Sequence, residues 1–208
     1  MPSRPATPRG LALARLAWGL ATLAAIVATF VDAAARGPVN PFNFFGYFTI
    51  QSNVLLVLVA LAAGIVGLVR PGVQPRWLVA ARGLATVCMI VVGLVYVTLL
   101  LPVHAAGGVE VPWANAVLHI FGPLLVILDW ALTTDRTALP RSAILWQLAY
   151  PLAWTAVVLV RGATDGWVPY PFLNPSQGYG TVALYVAAIA VVFLVISWLV
   201  VWWSRKRP

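Results

Sequence analysis

Charge is what this sequence has least of. Only 9 % of its 208 residues are Asp, Glu, Lys or Arg, against roughly 25 % in an average soluble domain. That scarcity excludes a soluble globular enzyme. Acidic residues are rarest: Asp32, Glu110, Asp129, Asp135 and Asp165 are the whole set of five. The single cysteine, Cys88, excludes an intrachain disulfide and a cysteine-based metal cage. Two histidines, His104 and His119, make a poor ligand set without such a cage, so neither metal nor cofactor is expected. Long polar tracts are absent too, which excludes disorder.

What the chain does have is apolar length. Apolar residues make up 62 % of it, gathered into six runs at about 11–35, 44–69, 77–101, 113–132, 143–160 and 178–203. Each is long enough to cross a hydrocarbon core of about 30 Å, and the alternation of a β-barrel is missing. The first run follows arginines, yet it exceeds the usual signal-peptide core of about 7–15 residues, so it reads as a span. The expected fold is all-α: one domain over 1–208, an integral membrane bundle of six transmembrane helices.

The net charge of +8 raises the question of nucleic acid. The bases, however, sit at the ends of apolar runs and form no basic helix face, so no nucleic-acid partner is expected. Arg4, Arg9, Arg15, Arg70, Arg76, Arg82, Arg136, Arg141, Arg205, Lys206 and Arg207 fall on one side of the expected topology, and only Arg36 and Arg161 on the other. The positive-inside rule then places both termini in the cytoplasm. Twelve of the thirteen bases are arginine, which with the Ala and Val content suggests a GC-rich bacterial genome and a multi-pass protein of the inner membrane.

Polar residues inside spans are costly and usually face the bundle interior. Here they gather in the outer half: Thr49, Gln51, Ser52 and Asn53 in the second run, Asn115 and His119 in the fourth, Asp32 late in the first. Thr49 lies about five residues into its run and His119 about six into its own, so at 1.5 Å per residue both are expected roughly 8 Å below the outer helix ends. Thr49, Ser52 and Asn53 share a helical face, as do Asn115 and His119. A hydroxyl beside an imidazole is the minimum for nucleophilic acyl transfer. Asn53 and Asn115 are candidate donors to an oxyanion, or Asn115 orients His119. Asp32 is the one carboxylate at a suitable depth for a third member. The plainer readings are a Thr bonded to its own i−4 carbonyl, Asn and Ser as interhelical glue, and Gly64 and Gly67 as sites of close helix packing. The segment 167–175, with three prolines, is expected to be extended and stiff, either a re-entrant or interfacial loop or a lid on the outer cavity.

Three segments occur together in order: Phe48-Thr49 with Gln51-Ser52-Asn53, Asn115 to His119, and Trp167-Val168 with Tyr170-Pro171-Phe172-Leu173. This set resembles the androgen-induced and androgen-dependent (TFPI-regulating) membrane proteins and their bacterial relatives. The resemblance implies a multi-pass enzyme that hydrolyses fatty acid esters of hydroxy fatty acids, with a threonine nucleophile and a histidine at the positions of Thr49 and His119. Ser52 or Asn53 stands where the animal pattern has Asp, Ala116 where it has a second His, and Pro169 is inserted. Its implied partners are a lipid or fatty acyl ester substrate and the surrounding membrane lipids. The alternative is a non-catalytic lipid-binding or transport protein.

Overall fold

The apolar runs fold as long helices because the hydrocarbon core offers no hydrogen-bond partner to a backbone left unpaired. The computed structural model describes residues 7–70, 72–105 and 108–206. Arg4 and Arg207, two of the bases used to orient the chain, lie outside the described residues. The six spans are α1 (Arg9–Arg36), α2 (Phe48–Val69), α3 (Arg76–Val103), α4 (Pro112–Leu132), α5 (Ala143–Thr164) and α6 (Tyr179–Lys206). No strand occurs among the described residues.

The second run divides where an uninterrupted helix was expected. Pro41–Phe44 forms a short helix of its own, capped by Asn40 Oδ1, which accepts from the Phe42 N–H at 2.9 Å. The chain then turns through Gly46, and α2 begins only at Phe48. Gly46 is required there: a Cβ would stand 2.5 Å from the Trp167 ring and 2.6 Å from the Phe42 carbonyl oxygen. Thr49 therefore sits in the first turn of α2, not five residues down. The fifth span is longer than its apolar run, reaching Thr164.

α3 is the hub. It packs on α2, α4 and α6 and touches α5, while α1 lies along α2. Close approach of α1 and α2 depends on Gly64, where a Cβ would meet Leu16 at 2.6 Å and the Ala12 carbonyl oxygen at 2.8 Å. Outward faces carry large apolar side chains such as Leu20, Leu58, Leu145, Leu184 and Trp198, exposed as a lipid-facing surface requires.

Both termini lie at one end of the bundle. Thr7 Oγ1 donates to Asp135 at 3.0 Å, and Ser204 Oγ accepts from the Leu139 N–H at 3.0 Å, so the linker between α4 and α5 touches both. The same linker anchors an ion network. Asp135 pairs with Arg15 and with Arg82, and Asp129 pairs with both as well. Burial alone would raise the Asp135 carboxyl, but hydrogen bonds and charge from Arg15 and Arg82 outweigh it and hold the group well below the ordinary carboxylate range. Two of the bases counted for orientation are thus consumed in structure.

Candidate active site

Thr49, Ser52 and Asn53 face inward from α2 and are buried, as is His119 on α4. Thr49 Oγ1 lies 3.2 Å from His119 Nε2. The contact joins residues 70 apart in sequence and closes the pair that the matched outer positions suggested.

His119 stands on an irregular turn. Val117–Phe121 is π-helical, closed by the Gly122 N–H donating to the Val117 carbonyl five residues back. The cause is Pro123: it lacks the N–H that would reach the His119 carbonyl in a regular helix. α3 repeats the device. Tyr96–Leu100 is π-helical, with the Leu101 N–H on the Tyr96 carbonyl, and Pro102 withholds the N–H due to Thr98. Single π turns of this kind occur often at functional sites. The two irregular turns meet: the Tyr96 and His119 rings stack at 4.4 Å between centroids and 20° between planes. Asn115 Nδ2 donates to the Tyr96 hydroxyl at 3.1 Å. Asn115 therefore reaches His119 only through Tyr96, and His119 Nδ1 is buried without a hydrogen-bond partner among the described residues.

Asn53 has a different task from the one expected. Its Nδ2 donates to the Thr49 carbonyl at 2.9 Å and to the Leu118 carbonyl at 3.2 Å, tying α2 to the π turn of α4. Those N–H groups are spent on the backbone, so Asn53 positions the pair and does not serve an oxyanion. Ser52 is fully buried, and its hydroxyl has no partner among the described residues. Gln51 points away, donating to the Phe45 carbonyl at 2.8 Å and accepting from the Tyr150 hydroxyl at 2.7 Å.

Asp32 is not the third member. It pairs with Arg36 one turn on, at 2.8 Å, and has no hydrogen bond or ion pair to Thr49, His119 or Asn115. A cation four residues away on the same helix captures the carboxylate locally.

The group in its place is Tyr170, which reading the residues singly missed. Its hydroxyl accepts from the Thr49 N–H at 3.1 Å and lies 3.3 Å from Thr49 Oγ1. The proline-rich segment carries it: Tyr170 precedes the short turns Pro171–Leu173 and Pro175–Gln177, and its ring stacks on Phe172. Trp154 and Tyr47 flank the same ring. Burial pushes the Tyr170 phenol up to about 12, so it remains a proton donor at neutral pH. The segment packs over the end of the bundle away from Thr7 and Ser204, as a strap that brings this hydroxyl to Thr49.

Thr49 and Tyr170 also line a cavity of about 70 Å³. Phe48, Val92, Leu148, Phe172, Ile189 and Phe193 are among its walls, which are almost wholly apolar. The reactive side of Thr49 thus faces an imidazole on one hand and hydrocarbon on the other. No family model, no curated protein and no solved structure matches this chain.

Proposed function

We propose that this chain is an intramembrane ester hydrolase for lipid-like esters such as fatty acid esters of hydroxy fatty acids, with Thr49 as nucleophile and His119 as base. The carrying observation is the buried 3.2 Å contact between Thr49 Oγ1 and His119 Nε2, beside an apolar cavity that Thr49 itself lines. The motif resemblance points the same way. The distribution of bases supports a bacterial plasma-membrane protein with both termini cytoplasmic.

The proton order follows from the partners. With the proton on Nδ1, Nε2, which faces Thr49 Oγ1, is the accepting nitrogen. Thr49 gives its proton to Nε2 as Oγ1 attacks the ester carbonyl. The negative charge that develops on the carbonyl oxygen is met by the Tyr170 O–H, and by the positive end of α2, in whose first turn Thr49 sits. Collapse expels the alkoxide, which takes the proton from Nε2 and leaves acyl-Thr49. A water then delivers its own proton to His119, attacks the acyl carbonyl and releases the acid, and Thr49 recovers its hydrogen. The apolar walls meet the acyl carbons nearest the carbonyl.

The test is covalent labelling of the purified protein with a fluorophosphonate probe, followed by peptide mapping and turnover of a long-chain hydroxy-fatty-acid ester. The adduct is expected on Thr49. Thr49→Ala and His119→Ala each abolish turnover, and the double variant is no worse, because members of a catalytic unit are not additive. Thr49→Ser keeps part of the activity, since only a methyl is lost. Full turnover in Thr49→Ala refutes the assignment. Additive partial losses would mark the pair as a lipid-binding contact instead.

A further inference from the structure

A second cavity, of about 620 Å³, lies in the half of the bundle that carries the termini. Its size falls within the range of about 300–1,000 Å³ usual for small-molecule sites. Alanines create it: Ala17, Ala21, Ala60 and Ala85 line walls where larger side chains would have met. α1 touches the outer turns of α4, over Pro112–Ala116 and Val117–Phe121, but diverges from Gly122–Leu132. The rim on α4 is exposed, at Leu125, Leu128 and Leu132. The groove therefore opens sideways between α1 and α4, into hydrocarbon.

Its floor is ionic. Arg15, Arg82 and Asp129 line it, and Asp135 stands behind them. Asp129 is the member turned to the groove: its side chain is 25 % exposed, against 3–6 % for the two arginines. Each Asp129 oxygen takes a guanidinium N–H, at 2.8 Å from Arg15 and 2.6 Å from Arg82. Each retains accepting capacity.

The groove thus offers an apolar channel and one accessible carboxylate, over guanidinium and carboxylate charges that cancel. We infer that it binds a glycerophospholipid with a primary-ammonium head group. The ammonium donates to Asp129, and an acyl chain lies along the alanine walls. A quaternary ammonium has no N–H for Asp129, and a neutral floor does not favour a head group of net negative charge. The inference is independent of the chemistry at Thr49.

The test uses the full chain reconstituted in phosphatidylcholine vesicles. Each preparation contains an equal minor fraction of bromine-labelled phosphatidylethanolamine, phosphatidylcholine or phosphatidylglycerol. Trp18 emission is isolated as the difference between the wild type and Trp18→Phe. Brominated phosphatidylethanolamine is expected to quench it several-fold more than the other two. Asp129→Asn erases that preference, and Ala21→Phe, which fills the channel without touching the ion network, lowers quenching by all three. Equal quenching by the three lipids in the wild type overturns the inference, as does undiminished phosphatidylethanolamine quenching in Ala21→Phe or a folded Asp129→Asn that keeps the preference. If Asp129→Asn does not fold, Ala21→Phe decides alone.

Discussion

A threonine hydroxyl is a weak nucleophile, and its reactivity depends on what its neighbours do with one proton. Thr49 has two such neighbours, His119 Nε2 at 3.2 Å and the Tyr170 hydroxyl at 3.3 Å. Their duties are separable. Tyr170 accepts from the Thr49 N–H, so its own proton is free for Thr49 Oγ1 in the resting site and for the carbonyl oxygen of a bound ester. Tyr170→Phe removes that donor and keeps the ring stacked on Phe172. Loss of one oxyanion donor costs roughly 10²–10³ in kcat. The expected result is a kcat fall of about that size with KM changed little, because the ground-state carbonyl gains less from the donor than the tetrahedral adduct does. The Thr49 N–H would also lose its acceptor, at a cost of about 1–3 kcal/mol in stability. A variant that melts lower but turns over at the wild-type rate would leave Tyr170 a structural peg only.

At the scale of the element, the site is built from two helices that fail to be regular at the same level. Pro102 and Pro123 each withhold an N–H from the residue four positions earlier, Thr98 and His119. Each helix answers with a π turn centred on that residue. Pro123→Ala restores the missing donor to the His119 carbonyl and allows the turn to tighten. The expected outcome is at least a tenfold loss of ester turnover, as His119 moves off Thr49, with the melting temperature held or raised. Unchanged turnover would show that the π turn does not set the histidine's position. The prolines are plain in the sequence, but their effect on His119 appears only once four-residue spacing is read as a lost hydrogen bond. The spans were legible because each is a long apolar run. The break before α2 was not, since Phe44, Phe45 and Tyr47 continue the apolar pattern and only the Asn40 cap and the Gly46 turn interrupt it. Thr49 and His119 were legible as polar residues at matched outer positions. Tyr170 was not, because a contact across 121 residues depends on how a proline-rich strap folds back. Asp32 misled because depth alone does not show that Arg36 holds it.

Over the whole molecule, the two ends of the bundle do different work: one holds Thr49, His119 and Tyr170, and the other, which carries Thr7 and Ser204, holds the fold together. Asp135 shows how. Its carboxylate takes N–H groups from Arg15 on α1 and Arg82 on α3 and the hydroxyl of Thr7, while its carbonyl accepts from the Gln74 N–H at 2.8 Å. Two regions far apart in sequence, 7–15 and 74–82, meet on one residue of a third. Breaking a buried pair by removing one partner costs about 3–5 kcal/mol, because the remaining charges stay buried without compensation. Asp135→Asn keeps the shape and removes the charge, so it should lower the melting temperature in detergent by many degrees at neutral pH. Turnover measured well below that temperature should remain near the wild-type value, since no part of the clamp reaches Thr49. The pH dependence has a defined sign. Asp135 is held below its ordinary range by Arg15 and Arg82, so its contribution is complete above the unfolded pKa of about 4. It is lost only as the pH falls further, through the lower folded value. The gap between wild-type and Asp135→Asn melting temperatures should therefore be constant from neutral pH down to about 5 and close under stronger acid. A gap that closes between pH 8 and 6 would assign the stabilisation to another group, and a gap that never opens would show that the arginines, not the carboxylate, hold the helices together.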